Sequence, residues 1–333
     1  MAVKFKISLT TDSYPATAYA ALAAEIERLG FDTIYVSDDL PFRPVWPVLT
    51  LIAQTTKTIK LGPGLVTPRL AHPVYHASNL LVLDEISNGR AVCAVGVGGG
   101  NEMICGLVAK PVRMMREAMD IMHQMIERKQ KRYEGEFFSV GETLRFHHGP
   151  ERNIPLIMGS WGPQVCELAG KVAAGVQAGC VADIAYFSHL RERMIAGARS
   201  VGRDPAGLAF EAASFWCLSE DRAEALELMR SHLVDYIPIC NVLCERMGVE
   251  RERIDAITRA RDTGDREGGK RLISDEIIRR FAVAGTPEGV IPHIEELVAA
   301  GATSVVVGPP LGVKPYDLDV LRMLAKRIVP HFR

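Results

Sequence analysis

"LDEISNGRAVCAVGVGGGN" (residues 83–101) decides the fold. Its middle, Ala91 to Val97, is a short apolar run bounded by turn residues, and it ends in Gly98-Gly99-Gly100. A run of this length and composition reads as a strand buried on both faces, as in a parallel sheet. Glycines at a strand end allow close approach of a backbone or a ligand, or they make a simple surface turn. A dinucleotide loop is excluded, because Gly96 and Gly98 are followed by Asn101 where G-x-G-x-x-G requires glycine.

The same rhythm repeats outward from this stretch. Strand readings fall at 3–9, 32–37, 59–66, 91–97, 154–159, 174–180, 209–217 and 303–308. Between them, amphipathic spacing predicts helices near 18–29, 46–56, 73–86, 111–128, 162–172, 184–200 and 287–300, and a last helix at 316–328. Two inserts interrupt the pattern: a hairpin near 131–149 and a helical block near 221–275. Short apolar strands alternating with amphipathic helices specify a helix-covered parallel sheet. Eight such units predict an α/β chain of the (β/α)8 TIM-like barrel class, with insertions. No Pro/Ser-rich linker divides residues 1–333, so the expectation is a single domain.

Composition narrows the function. The chain of 333 residues is 48% hydrophobic and 24% charged, with formal net charge −1, so no global field favours nucleic acid or a membrane surface. The opening MAVKFKISLT reads as a strand and lacks the apolar core of a signal peptide, and no apolar run of transmembrane length follows. Seven scattered cysteines read as free thiols in a reducing compartment, and the expected location is cytoplasmic. His72 and His76, four apart, lack a third ligand at compatible spacing, so no metal site is expected.

Barrel ligands bind at the C-terminal ends of the strands. Those ends are rich in glycine and leave room for a flat ligand. Gly159-Ser160-Trp161-Gly162, between a strand and a helix starting at Pro163, suits either a phosphate or an ordinary helix cap. Asp38 and Asp39 follow the second strand and read as acid–base groups or as a capped, solvated turn. Ser8 and Thr10 end the first strand and could bond a ligand or simply pack. Asn101 could orient a substrate through its amide. Nucleophile-elbow and Walker motifs are absent.

The pieces HP (72–73), LDEISNGR (83–90) and the glycine-ended fourth strand resemble the bacterial-luciferase-like superfamily. TIKLGPG, IPLIMGSWGP, AVAGTPEGVIPHIEEL and GATSVVVGPPLG resemble its methylenetetrahydromethanopterin reductase branch, over residues 3–330 in order. The resemblance implies a (β/α)8 barrel and coenzyme F420, with FMN as the alternative. Gly159, Ser160, Trp161 and Gly162 would hold the cofactor phosphate. Gly64, Leu65, Gly96, Val97, Gly98 and Gly99 would lie against the ring, with a cis peptide at Gly64–Leu65. Asp38, Asp39 and Ser8 would be catalytic; Asn101 and Thr10 would meet a small substrate, with a pterin implied. The branch's glutamate and aspartate are replaced by Ser8 and Asn101, and Asp39 stands where related dehydrogenases have histidine. The leading expectation is therefore an F420-dependent oxidoreductase acting by hydride transfer. The alternatives are an FMN-dependent monooxygenase or reductase and a non-catalytic binder of a flavin-like ligand. A homodimer or homotetramer is expected from the resemblance, with no nucleic acid or membrane partner.

Overall fold

A computed structural model describes residues 3–98, 106, 109–149, 153–312 and 316–333. Gly99 and Asn101, two of the expected site residues, lie outside them. The chain divides into two compact units.

The first unit comprises Lys6–Gln177 and Arg191–Phe210. Its strands run parallel in chain order: β1 (Lys4–Leu9), β2 (Thr33–Val36), β3 (Lys60–Val66), β4 (Cys93–Gly96), β7 (Leu156–Gly159) and β8 (Gly175–Gly179). Every residue of β2, β4 and β7 is buried, as strands covered on both faces require. Helices α1 (Ala16–Arg28), α2 (Val45–Thr55), α3 (Pro73–Ile86), α4 (Pro111–Ile126) and α5 (Pro163–Val172) alternate with them. The buried face of α4 is rich in methionine: Met114, Met115, Met119, Met122 and Met125. The Gly64–Leu65 peptide is cis, and the register between β3 and β4 shifts there.

The opening motif proves to be a fastening of the framework. After α3, Asn88 and Gly89 take left-handed φ values of 61° and 81° and reverse the chain. Arg90 then donates to the carbonyls of Ala53, Thr56, Ile59 and Ser87 and to the Thr56 hydroxyl, at 2.7–2.9 Å. These bonds satisfy chain ends that helix and strand leave unpaired. Asp84 accepts from the Ala91 amide and sets where β4 begins.

Before β7 the chain makes the expected hairpin, β5 (Tyr133–Glu134) against β6 (Ser139–Val140). The buried Glu117 of α4 grips it. One carboxylate oxygen accepts from the Glu136 amide at 2.9 Å and from Arg113 at 2.7 Å. The other accepts from the Phe137 and Phe138 amides at 2.8 and 3.2 Å.

The second unit comprises Met1–Phe5, Ala178–Leu190 and Glu211–Arg333. In it, β9 (Ala209–Leu218) lies between β10 (Ala282–Gly285) and β11 (Ser304–Gly308), all parallel. The helical block resolves into α7 (Arg222–Tyr236), α8 (Asn241–Arg246), α9 (Arg251–Asp262), α10 (Arg266–Arg271) and α11 (Asp275–Phe281), after α6 (Ile184–Arg199) and before α12 (Pro287–Ala299) and α13 (Leu318–Met323). Side-chain caps set its breaks: Asp221, Asp265 and Ser274 each accept an amide from the turn they open. Strand β10 was not expected. Its four small residues, AVAG, follow directly on α11 and carry too little pattern to be read alone. The remaining eight strands, β1–β4, β7–β9 and β11, are the strand set of a (β/α)8 barrel.

Candidate active site

The first unit brings most of the expected residues together at the ends of β1 to β4 and β7. The ends of β1 and β2 are tied to each other. The Ser37 amide donates to the Leu9 carbonyl at 2.9 Å, and Thr11 and Arg43 exchange hydrogen bonds of 2.8 and 2.6 Å. Ser8 and Thr10 are half-buried on one side of this seam. The Thr10 hydroxyl donates to Asp12 at 2.7 Å, so its expected role toward a ligand competes with an internal partner.

Asp38 and Asp39 stand half-buried on the other side. Burial raises the Asp38 carboxyl above its usual range, an amide bond from Val45 opposes the rise, and the neighbouring charge of Asp39 adds to it. Burial likewise raises Asp39, against the Ser37 hydroxyl beside it. Both carboxyls are thus shifted toward the protonated form, the direction an acid–base group requires.

The ends of β3, β4 and β7 form an apolar floor. A β-carbon on Gly96 would come within 2.5 Å of a Leu65 methyl and 2.7 Å of the Gly159 carbonyl oxygen. One on Gly159 would also come within 2.5 Å of Leu65. These glycines therefore make room for Leu65, which is itself half-buried, and it is Leu65 that offers surface to a guest. A β-carbon on Gly64 would likewise come within 2.5 Å of Tyr35. Val97 and Gly98 continue the floor; Gly98 has φ 76°, and the Val97 carbonyl accepts from the Thr67 hydroxyl at 2.8 Å.

Thr67 was missed in the sequence. Besides holding Val97, its carbonyl accepts from His76 Nε2 at 3.0 Å, which fixes that ring, and its hydroxyl accepts from the Arg69 amide at 3.3 Å. His72 caps α3 through Nδ1, accepting from Val74 at 3.2 Å. Both histidines thus serve the framework. Among the described residues no cluster of His, Cys, Asp or Glu could hold a metal ion.

The loop after β7 is different. The Ser160 amide donates to the Gln177 carbonyl at 3.0 Å, and the Gly162 amide donates to the Ser160 hydroxyl at 2.9 Å. The loop is therefore prebuilt by its own bonds. A β-carbon on Gly162 would meet only the Ser160 oxygen, at 3.4 Å, so open space faces this residue. Helix α5 begins there with Pro163 and has no acidic residue in its first turn. The amides of Gln164 and Val165 precede the first intrahelical partner, which leaves a positive end toward the opening.

An apolar floor, paired carboxyls and a helix start with unpaired amides thus lie at barrel strand ends, the face at which barrels of this class bind ligands. The chain belongs to the luciferase-like monooxygenase family, whose model matches residues 2–304. It is 32% identical to a 5,10-methylenetetrahydromethanopterin reductase of Archaeoglobus fulgidus, over 99% of this chain and 100% of that protein. The same identity holds for the enzyme of that description from Methanopyrus kandleri, over 99% of each. The solved structure of a coenzyme F420-dependent tetrahydromethanopterin reductase from Methanopyrus kandleri superposes with TM-score 0.88 at 29% identity, covering both chains completely. The chain is an oxidoreductase of this luciferase-like family. No helix among the described residues is long and apolar enough to cross a membrane.

Proposed function

We propose that the protein is a coenzyme F420-dependent oxidoreductase that reduces or oxidises a pterin-type substrate carrying a one-carbon bridge. The observation that carries this reading is the full-length match to reductases of that description. The site's own residues fit the cofactor. The space at Gly162 and the start of α5 suit its phosphate, and Leu65 over Gly96 and Gly159 supplies an apolar bed for its ring. When bound, the deazaflavin supplies hydride transfer at a ring carbon.

The chain's residues do the rest. Leu65, backed by two glycines that admit no other side chain, covers one side of the ring position and leaves the opposite side for substrate. Thr67 anchors Val97 and so fixes the edge of that floor. Asp38 and Asp39 supply the proton that must accompany hydride transfer at a carbon–nitrogen centre. With the branch's glutamate replaced by Ser8, these two are the half-buried acidic groups at the rim of β1 and β2, Asp12 being exposed and bonded to Thr10. Holding the reacting atoms together and excluding water accounts for most of the rate such an enzyme needs from its protein.

The protein assembles as a homodimer or homotetramer in the cytoplasm on this reading. The test is direct. Apoprotein is titrated with F420 and, separately, with FMN, and the return of F420 fluorescence from reduced F420 is followed with methylenetetrahydromethanopterin. Tight F420 binding with turnover supports the reading. Preference for FMN with oxygen-dependent turnover overturns it in favour of a monooxygenase, and F420 binding without hydride transfer to any substrate leaves only a binder.

A further inference from the structure

The first unit buries a histidine whose own bonds do not account for its place. His76, in the first turn of α3, is 1% exposed. Its Nε2 lies 3.0 Å from the Thr67 carbonyl oxygen, so Nε2 carries the proton and donates. Burial pushes the ring's pKa down, which keeps it neutral and leaves Nδ1 bare. No group of the described residues donates to that buried Nδ1. The Trp46 ring stands 6.3 Å away, and its Nε1 is likewise buried and unpaired. Nor does the Thr67 carbonyl need the histidine, because it already accepts from the Leu70 amide at 3.1 Å. A buried acceptor left unpaired costs stability, and an apolar side chain of similar size avoids that cost. His76 is thus a poor choice for folding alone, and such departures are expected where a site needs them.

What Nε2 holds is the residue that joins the floor. Thr67 directly follows β3 and is wholly buried. Its hydroxyl donates to the Val97 carbonyl at 2.8 Å and accepts from the Arg69 amide at 3.3 Å. The pairing of β3 with β4 slips between Gly64 and Val66, so the ladder alone does not fix how the two strand ends meet. The bond from Thr67 to Val97 fixes it beyond the slip. Leu65, two residues before Thr67, and Val97, its acceptor, both belong to the floor. His76 braces this junction from a helix, a firmer support than a loop.

On the function proposed above, on which this inference rests, we propose that His76 is a positioning residue for hydride transfer. It holds Thr67, and through it Leu65 and Val97, in place beneath the ring position. The imidazole takes no part in proton transfer, since its one N–H is committed to the Thr67 carbonyl. Hydride transfer needs the reacting atoms about 3–3.5 Å apart, so a floor that shifts loses rate before it loses affinity.

Two substitutions test this. His76→Leu removes Nε2 and the unpaired Nδ1 together, and His76→Gln returns an amide N–H near the place of Nε2. In the apoprotein, hydrogen exchange at the Arg69 and Leu70 amides should quicken in His76→Leu and return toward wild type in His76→Gln. His76→Leu should melt at or above the wild-type temperature. With F420 and methylenetetrahydromethanopterin, it should lower kcat about tenfold or more and move F420 affinity less than about threefold, with most of the rate restored in His76→Gln. In a Thr67→Val background, His76→Leu should cost little further, because the effect passes through Thr67. Losses that add to those of Thr67→Val would overturn the proposal. So would a His76→Leu protein that loses stability and rate together or fails to fold, which marks an ordinary structural residue. Wild-type protein that does not turn over F420 overturns the proposed function and this inference with it. Wild-type turnover with an unimpaired His76→Leu overturns this inference alone.

Discussion

Two stretches of rim on the first unit use similar residues to opposite ends. At the ends of β3, β4 and β7, glycines are filled by the protein itself, with Leu65 lying where the side chains of Gly96 and Gly159 would be. At the end of β2 and in the loop after β7, the protein leaves its groups uncomfortable or its space open. Burial raises the Asp38 and Asp39 carboxyls above their usual value, and Gly162 faces a gap. The contrast separates two costs. Where a surface is already complementary to itself, a change is paid in folding. Where it is incomplete, a change falls on binding or chemistry.

The largest expected effect tests the carboxyls. Asp38→Asn and Asp39→Asn should each be examined for turnover, with at least one lowered about 100-fold or more, the range for a lost acid–base group. F420 affinity should barely move. Both pKa values are raised in the folded state, so the folded protein holds more protons than the unfolded chain above the usual carboxylate value. The stability contributed by these groups is full below that value and is lost as pH rises through the raised pKa. At neutral pH either asparagine variant should therefore melt at or above the wild-type temperature while working worse. Wild-type kinetics in both variants would end the contrast.

The floor comes next. Gly96→Ala places a β-carbon against both Leu65 and the Gly159 carbonyl, and should destabilise the fold by about 1–3 kcal/mol, the usual range for overpacking. Adding Leu65→Ala relieves only part of this, because the carbonyl cannot retreat. Chemical denaturation of the single and double variants measures that coupling. Simple additivity would show that Leu65 does not fill the glycine space.

The smallest expected effect is at the open loop. Gly162 has φ −92° and ψ 124°, which any residue adopts, so Gly162→Val should leave stability within about 0.5 kcal/mol. Its branched side chain would occupy the gap, and F420 affinity should fall roughly tenfold, about 1.4 kcal/mol. A loss of stability with unchanged affinity would move Gly162 into the self-filled class.

The order of elements was legible because buried strands and amphipathic helices leave periodic traces, and the hairpin because its glycines do. Strand β10 left no trace beyond four small residues. The site was legible by position and less so by meaning. Glycine at a strand end looks the same in sequence whether Leu65 or nothing stands opposite, since that depends on contacts dozens of residues apart. The motif LDEISNGR pointed to the family, yet the structure gives Arg90 and Asp84 a framework task. Thr67 carried no signal, because the bond that ties it to the floor reaches Val97 on a segment distant in sequence.

The grip of Glu117, which takes three hairpin amides, makes one side chain the main clasp of the hairpin. Burial alone would raise its pKa, but the three amides and Arg113 outweigh burial and lower it. The clasp is closed above the usual carboxylate range and opens as pH falls through the lowered value. Only in acid below the usual carboxylate range should the hairpin come away as its own small unit of unfolding while the sheet beneath stays whole. Hydrogen exchange would read this as early loss of protection at Glu136, Phe137 and Phe138, and Glu117→Gln should bring the same loss at neutral pH. The segment could then be trimmed or exchanged without rebuilding the barrel, with Lys110–Glu136 at 2.6 Å and Tyr133–Asp120 at 3.4 Å as the lesser ties to be replaced beside that carboxylate.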